Sequence, residues 1–177
     1  ILKVIAGSPS DVQPVFDAIA SGAARLFGSR AGILVREGDR IDLKAAAAVD
    51  WSPEAQQAAF AAMKSRYPLP FDPETVYSAR VMAAGQSVVV PDTEAPGVSA
   101  PARDLGRRGG YRSFAMMPLV RERGSIGVLA VTFAQPGVLL TDKQQELLRA
   151  FADQAVIAIE NARLFNETKE ALERQTA

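Results

Sequence analysis

The chain has 177 residues, 48% of them hydrophobic and 23% charged, enough for one globular domain with a core of its own. Lys+Arg and Asp+Glu balance at 20 each, so no net field draws in nucleic acid or an anionic membrane. With no cysteine and no histidine, disulfides, thiolate nucleophiles, Ser-His-Asp machinery and zinc sites of the usual ligand set are closed to it, as is the usual histidine or cysteine ligand of a haem.

No apolar run approaches the length of a bilayer and no signal peptide is visible, so this stretch is expected to be soluble and to make no membrane contact. The first residue is Ile, so the chain reads as a piece of something longer, whose parent could be membrane-anchored elsewhere.

In chain order, Ile1 to Ala6 is an apolar lead-in broken by Gly7-Ser8-Pro9-Ser10. Ser8 or Ser10 is placed to cap a helix from Asp11 to Phe27, in which Val12, Val15, Phe16, Ile19, Ala23 and Leu26 recur at helical spacing. Gly28 ends it. Ala31 to Val35 reads as a strand, turned by Glu37-Gly38-Asp39 into a second from Arg40 to Ala47. There Ile41, Leu43 and Ala45 alternate with charged residues, which predicts one buried face and a place toward the sheet edge. Helices are expected from Ser52 to about Ser65 and from Glu74 to Gly85, with a proline-rich loop between them. Val88 to Val90 is a short strand stopped by Pro91, and Ala100 to Arg108 a weak helix released by Gly109-Gly110.

Tyr111 to Phe133 organises the rest. It reads as two strands, Ser113 to Val120 and Ser125 to Phe133, about a charged turn in which Gly124 can take positive φ. Phe114, Met116 and Pro118 share one face and Ala115, Met117 and Leu119 the other; Ile126, Val128 and Ala130 likewise oppose Leu129, Val131 and Phe133. A hairpin apolar on both faces must be covered on both, so it is central to a sheet with two coats.

Thr141, with Gln144 three residues on, forms a capping-box pattern for a last helix that has no breaker from Asp142 to the end. Phe151, Ala155, Ala158, Ala162, Phe165, Lys169 and Leu172 repeat along it at heptad-like spacing. Up to Phe165 this stripe fits the core face of an amphipathic helix as well as a dimer seam. Beyond Phe165 a partner helix is favoured.

The order helix, hairpin, helices, VVVPD strand, helix, GYRSFAMMPL hairpin and a final helix with AVIAIENARLFNET resembles a GAF domain, most closely those of bacterial sensor histidine kinases. The residues that carry it are Ser87 to Asp92, Gly110 to Leu119, Ile126-Gly127-Val128 and Phe151 to Phe165. The resemblance implies an α+β, profilin-like fold: a central antiparallel sheet of five or six strands, helices on both faces, and the terminal helices packed together on one. It implies a sensory domain over residues 1–165 and the start of a signalling coiled coil over 166–177. It implies a non-catalytic, cytoplasmic module that binds a small molecule, forms a homodimer through its terminal helices, and controls its own output domain. Rival readings are a purely structural dimerisation spacer, a part of a nucleotide or diguanylate cyclase, and, last, a relative of the free methionine sulfoxide reductases, whose catalytic cysteines are missing here. A covalent bilin has no Cys and haem no His; the Asn-Lys…Phe…Asp-Glu pattern of cyclic-nucleotide binders is absent too, so no cofactor is identified.

Residues where loops should cross the sheet are the ligand candidates. Trp51 could stack on a flat ligand or simply pack. Tyr77 and Arg80, one helical turn apart, could bind an anion or form a solvated face. Asp92 could accept hydrogen bonds from a ligand or close an Asx turn. Tyr111, Arg112 and Ser113 follow two glycines, and Arg112 is the favoured partner for a carboxylate or phosphate, with an ion pair to Asp92 or Asp104 as its alternative. Phe133 completes the set, with a core reading beside it. The dimer interface is expected at Val12, Phe16, Phe151, Ala155, Ala158, Ala162, Phe165 and Leu172.

Overall fold

The computed structural model describes residues 11–176. Helix α1 spans Gln13–Phe27, with Pro14 in its first turn, and Gly28 closes it in the left-handed conformation at φ 59°. Its N-cap is Val12, which supplies no side-chain hydrogen bond; the Asp11 carboxylate accepts instead from the Gln13 amide at 3.0 Å. The expected caps Ser8 and Ser10, like the Ile1 to Ala6 lead-in, lie outside the described residues.

Strands β1 (Arg30–Glu37), β2 (Arg40–Ala48), β3 (Leu69–Pro70), β4 (Val88–Val90), β5 (Ser113–Arg121) and β6 (Gly124–Phe133) form one antiparallel sheet in the order β3-β2-β1-β6-β5-β4. The hairpin is central as its two apolar faces require. Strand β2 is one place in from the edge, because the short β3 emerges from the proline-rich loop to pair with it. A strand of two residues has no periodicity to read.

Two bulges change which residues share a face. One at Lys44 pairs Leu34 with Leu43 but Ile33 with Ala45, so Ala45 turns away from Ile41 and Leu43. The other, at Ile126, pairs Leu119 with Gly127 but Val120 with Ser125, and sends Ile126 to the face opposite Val128. An inserted residue reverses a period of two, which strict alternation in the sequence could not show.

Helix α5 (Asp142–Thr176) lies with α1 on one face of the sheet. Val15, Phe16 and Ile19 of α1 and Leu148, Ala152, Ala155 and Ala158 of α5 close over Ile33, Met117, Leu119, Leu129 and Val131. Removing each of the large aliphatic chains from water contributes roughly 1.5–3 kcal/mol. The capping box forms: Thr141 Oγ1 accepts from the Gln144 amide at 3.1 Å and Gln144 Oε1 from the Thr141 amide at 2.9 Å.

The other face is covered more loosely. Helix α2 (Pro53–Lys64) buries no residue and is tied down through Lys64, which reaches the Asp42 carboxylate at 2.5 Å. Helix α3 (Tyr77–Ala84) packs Ala79, Val81 and Met82 over Leu34, Ile41 and Val128. It starts later than the expected Glu74. Asp72 takes the Glu74 amide at 3.0 Å and the Thr75 hydroxyl at 2.6 Å, and Val76 is held extended before the first turn. Helix α4 (Ala100–Gly109), capped by Ser99, completes this layer. No helix among the described residues is long and apolar enough to cross a membrane.

Candidate functional site

The loose coat leaves space over the middle of the sheet. The floor is made by alternate residues of three strands: Arg30, Gly32 and Leu34 of β1, Ala130 and Thr132 of β6, and Met116 of β5. Small residues at 32 and 130 lower that floor, while Met63, Arg66, Tyr67 and Leu105 roof it from α2, the loop after it, and α4. An inner lobe of about 80 Å³ results. A second lobe of about 230 Å³ adjoins it, walled by the same Leu34, Arg66, Tyr67, Leu105, Tyr111 and Met116, and opens outward past Tyr77, Phe114 and Pro101.

Two guanidinium groups edge the site. Arg30 donates from Nη1 to the Gly109 carbonyl at 2.8 Å, and Arg66 from Nη2 to the Arg108 carbonyl at 2.9 Å. Both therefore close the last turn of α4, where unpaired carbonyls concentrate negative charge. Neither forms an ion pair with any described residue, and the walls of the inner lobe hold no acid. The Trp51 ring lies 5.9 Å from the Arg30 guanidinium carbon, within cation–π range.

Two phenols face the same space. The hydroxyls of Tyr67 and Tyr111 make no hydrogen bond to any described residue, and both rings line both lobes. Burial pushes the Tyr67 phenol up to about 12, against the opposing pull of the neighbouring Arg66 charge, and pushes Tyr111 up as well. Both hydroxyls thus stay protonated at neutral pH and can donate. Edge-to-face contacts from Tyr77 at 5.4 Å and Tyr111 at 6.1 Å hold Phe114 between them.

Of the ligand candidates, only Tyr77 and Tyr111 line this pocket. Trp51 stands behind Arg30, not in the cavity. Arg80 stacks over Tyr77 at 4.7 Å but spends its donors on the carbonyls of Pro73 and Glu74, at 3.0 and 2.9 Å, and so fastens the loop before α3. Arg112 is neutralised by Asp92, Nη2 to Oδ1 at 2.8 Å, which is the ion pair set against its ligand role. The Glu94 amide closes the Asx turn on Asp92 at 2.9 Å; that bond, with Arg112 second, holds the carboxyl below its ordinary range. Ser113 is fully buried on the face toward α1 and α5 and donates to the Gln135 carbonyl at 2.7 Å. Phe133 packs against the core of that same face.

Arg30, Arg66 and Tyr67 were not among the candidates. Arg30 carried a signal, a lone charge in phase with Gly32 and Leu34. Arg66 and Tyr67 sit where the sequence shows only the entry to a proline-rich loop.

Most of the stripe expected at a dimer interface is covered within the protomer. Phe16, Ala155 and Ala158 are buried inside the protomer, and Val12 and Phe151 are partly covered there. Gly22 of α1 is so near Phe151 that a Cβ would meet its ring at 2.9 Å. Ala162 is half-buried, and only Phe165 and Leu172 of that set are exposed. Outward from α5 point Leu147, Ile157 and Leu164 instead.

The sequence pattern of the GAF domain family matches residues 9–160. The chain belongs to the GAF domain family, regulatory and generally non-catalytic modules of signalling proteins. It is similar to the crystal structure of a methyl-accepting chemotaxis protein, residues 122 to 287, at 25% identity and a TM-score of 0.66, over 88% of this chain and 92% of that one. It is also similar to the blue-light absorbing form of the Thermosynechococcus elongatus PixJ GAF domain, at 13% identity and TM-score 0.70, covering 95% and 96%. The free methionine-R-sulfoxide reductase of Neisseria meningitidis, solved with its substrate, shares the fold at 20% identity and TM-score 0.65, covering 92% and 85%. Among curated proteins none matches this sequence.

Proposed function

We propose that this is the sensory domain of a bacterial two-component protein, a cytoplasmic module that binds a small molecule and dimerises to control a C-terminal output domain, most simply a histidine kinase. The carrying observation is the pocket with two phenols and two arginines that, among the described residues, have no hydrogen-bond partner and no ion pair respectively, on the sheet face opposite α1 and α5. A purely structural spacer has no need to gather two arginines and two phenols around a void.

Helix α5 supports the output half of the reading. Its 35 residues span roughly 52 Å at 1.5 Å per residue, and beyond Ala162 every described residue is exposed. Leu147, Ala150, Gln154, Ile157, Asn161 and Leu164 follow one another at alternating intervals of three and four along its outward side. A largely apolar stripe interrupted by Gln154 and Asn161 fits the seam of a two-stranded coil, where a buried asparagine fixes register, so the occupant is a second copy of this chain. Arg121 of the β5–β6 hairpin meets Glu160 at 2.5 Å, linking the sheet to this stretch of helix. Ligand-induced movement of the sheet would thereby bias the helix pair.

Sedimentation velocity on the purified chain tests the dimer. The chain is expected to run as a dimer, and Ile157→Glu or Leu164→Glu as a folded monomer. A monomeric parent chain, or an undisturbed Ile157→Glu dimer, would sink this interface.

A further inference from the structure

We propose that the pocket takes a small organic anion, a carboxylate carried on a single ring or a short acyl chain. This rests on the reading of the cavity as a ligand site and adds the chemistry of its occupant.

The inference comes from the inventory of polar groups. The inner lobe presents two cations, Arg30 and Arg66, and no acid. The carbonyls beside them, Gly109 and Arg108, already accept from those same arginines. Each guanidinium has five N–H donors in a fixed fork and spends part of it here, so donors remain. The Tyr67 and Tyr111 hydroxyls add donors that stay protonated. In the outer lobe the one acid, Asp104, is paired with Arg108 at 2.9 Å. A site rich in donors and poor in free acceptors selects an acceptor ligand and rejects an ammonium.

Size and walls set the rest. Leu34, Leu43, Met63, Leu105 and Met116 offer apolar contact on every side of the charged edge, and methionine sulfur packs well against an aromatic ring. The two adjoining lobes, of about 80 and 230 Å³, together have room for a single ring bearing a carboxylate. The anion chemistry expected of Arg112 thus belongs to Arg30 and Arg66, because Asp92 has already taken Arg112.

Isothermal titration calorimetry of the whole chain with benzoate, benzamide and benzylamine tests this. Benzoate is expected to bind at least about tenfold more tightly than benzamide, and benzylamine not at all. Arg30→Gln and Arg66→Gln should each weaken benzoate about tenfold and benzamide clearly less, since only the carboxylate gains charge-assisted bonds. Because either change also frees a carbonyl of α4, Leu105→Trp serves as a second variant that fills both lobes; it should abolish binding of benzoate and benzamide alike. Equal binding of all three probes, or preference for benzylamine, overturns the anion inference and leaves the pocket standing. No binding by any probe, or benzoate binding that survives Leu105→Trp, overturns the inference and the ligand site together.

Discussion

Gly127 of β6 and Leu34 of β1 meet so closely that a Cβ at position 127 would lie 2.3 Å from the Leu34 carbonyl oxygen. The contact is backbone against side chain position, in the middle of the sheet, where no rotamer can relieve it. The bulge at Ile126 sets Gly127 opposite both Leu119 and Val35, so the close approach and the change of face share one cause.

Gly127→Ala is therefore expected to destabilise the fold by roughly 3 kcal/mol, the upper end for overpacking a close-packed interior. Urea unfolding followed by circular dichroism measures it. Gly32→Ala is the matched control: its Cβ would stand 3.3 Å from the Ala45 carbonyl, and the loss should be clearly smaller. Equal losses would mean that strand propensity, not this contact, accounts for both.

The acid limb of stability should depend on Asp42. Burial pushes its carboxyl up, but hydrogen bonds and charges from Lys64 and Lys44 together outweigh burial and hold it below its ordinary value. A carboxylate depressed by folding contributes stability that is present above its unfolded value of about 3.9 and lost as pH falls through the folded one. Asp42→Asn should lower stability at pH 7 and flatten the decline below about pH 4. Melting temperature against pH shows it; an unchanged acid slope in the variant would remove Asp42 from that role.

At the alkaline end the pocket itself should report. The folded Tyr67 phenol, pushed up to about 12, stays neutral while an unfolded tyrosine ionises near 10. Its contribution is whole below about pH 10 and falls as pH rises toward 12. Tyrosinate absorbance should show a late-titrating component that Tyr67→Phe diminishes. Tyr111, also pushed up by burial, keeps a remnant of it; a late component undiminished in that variant would remove Tyr67 from it.

Much of the fold was legible because it rests on long periodic signals. The central hairpin declared itself through two apolar faces, and α5 through a cap and an unbroken run. The bulges at Lys44 and Ile126 were not legible, since each is one residue inserted without a distinctive side chain. The site was harder still. For Arg112 the sequence left a ligand and an ion pair to Asp92 or Asp104 open, and the choice falls to Asp92 because that residue lies beside it once β4 pairs with β5. Arg30 and Arg66 gain meaning only because α4 ends between them, a long-range meeting that no local pattern encodes.

The most direct measurement follows the four methionine methyl groups by ¹H–¹³C NMR as benzoate, and separately its neutral counterpart benzamide, is added. Met63 and Met116 line the pocket, whereas Met82 packs under α3 and Met117 is buried on the face toward α1 and α5. Shifts at Met63 and Met116, with Met82 and Met117 still, are the expected result. Shifts led by Met117, or none at any methionine with either compound, would contradict a ligand site on this face of the sheet.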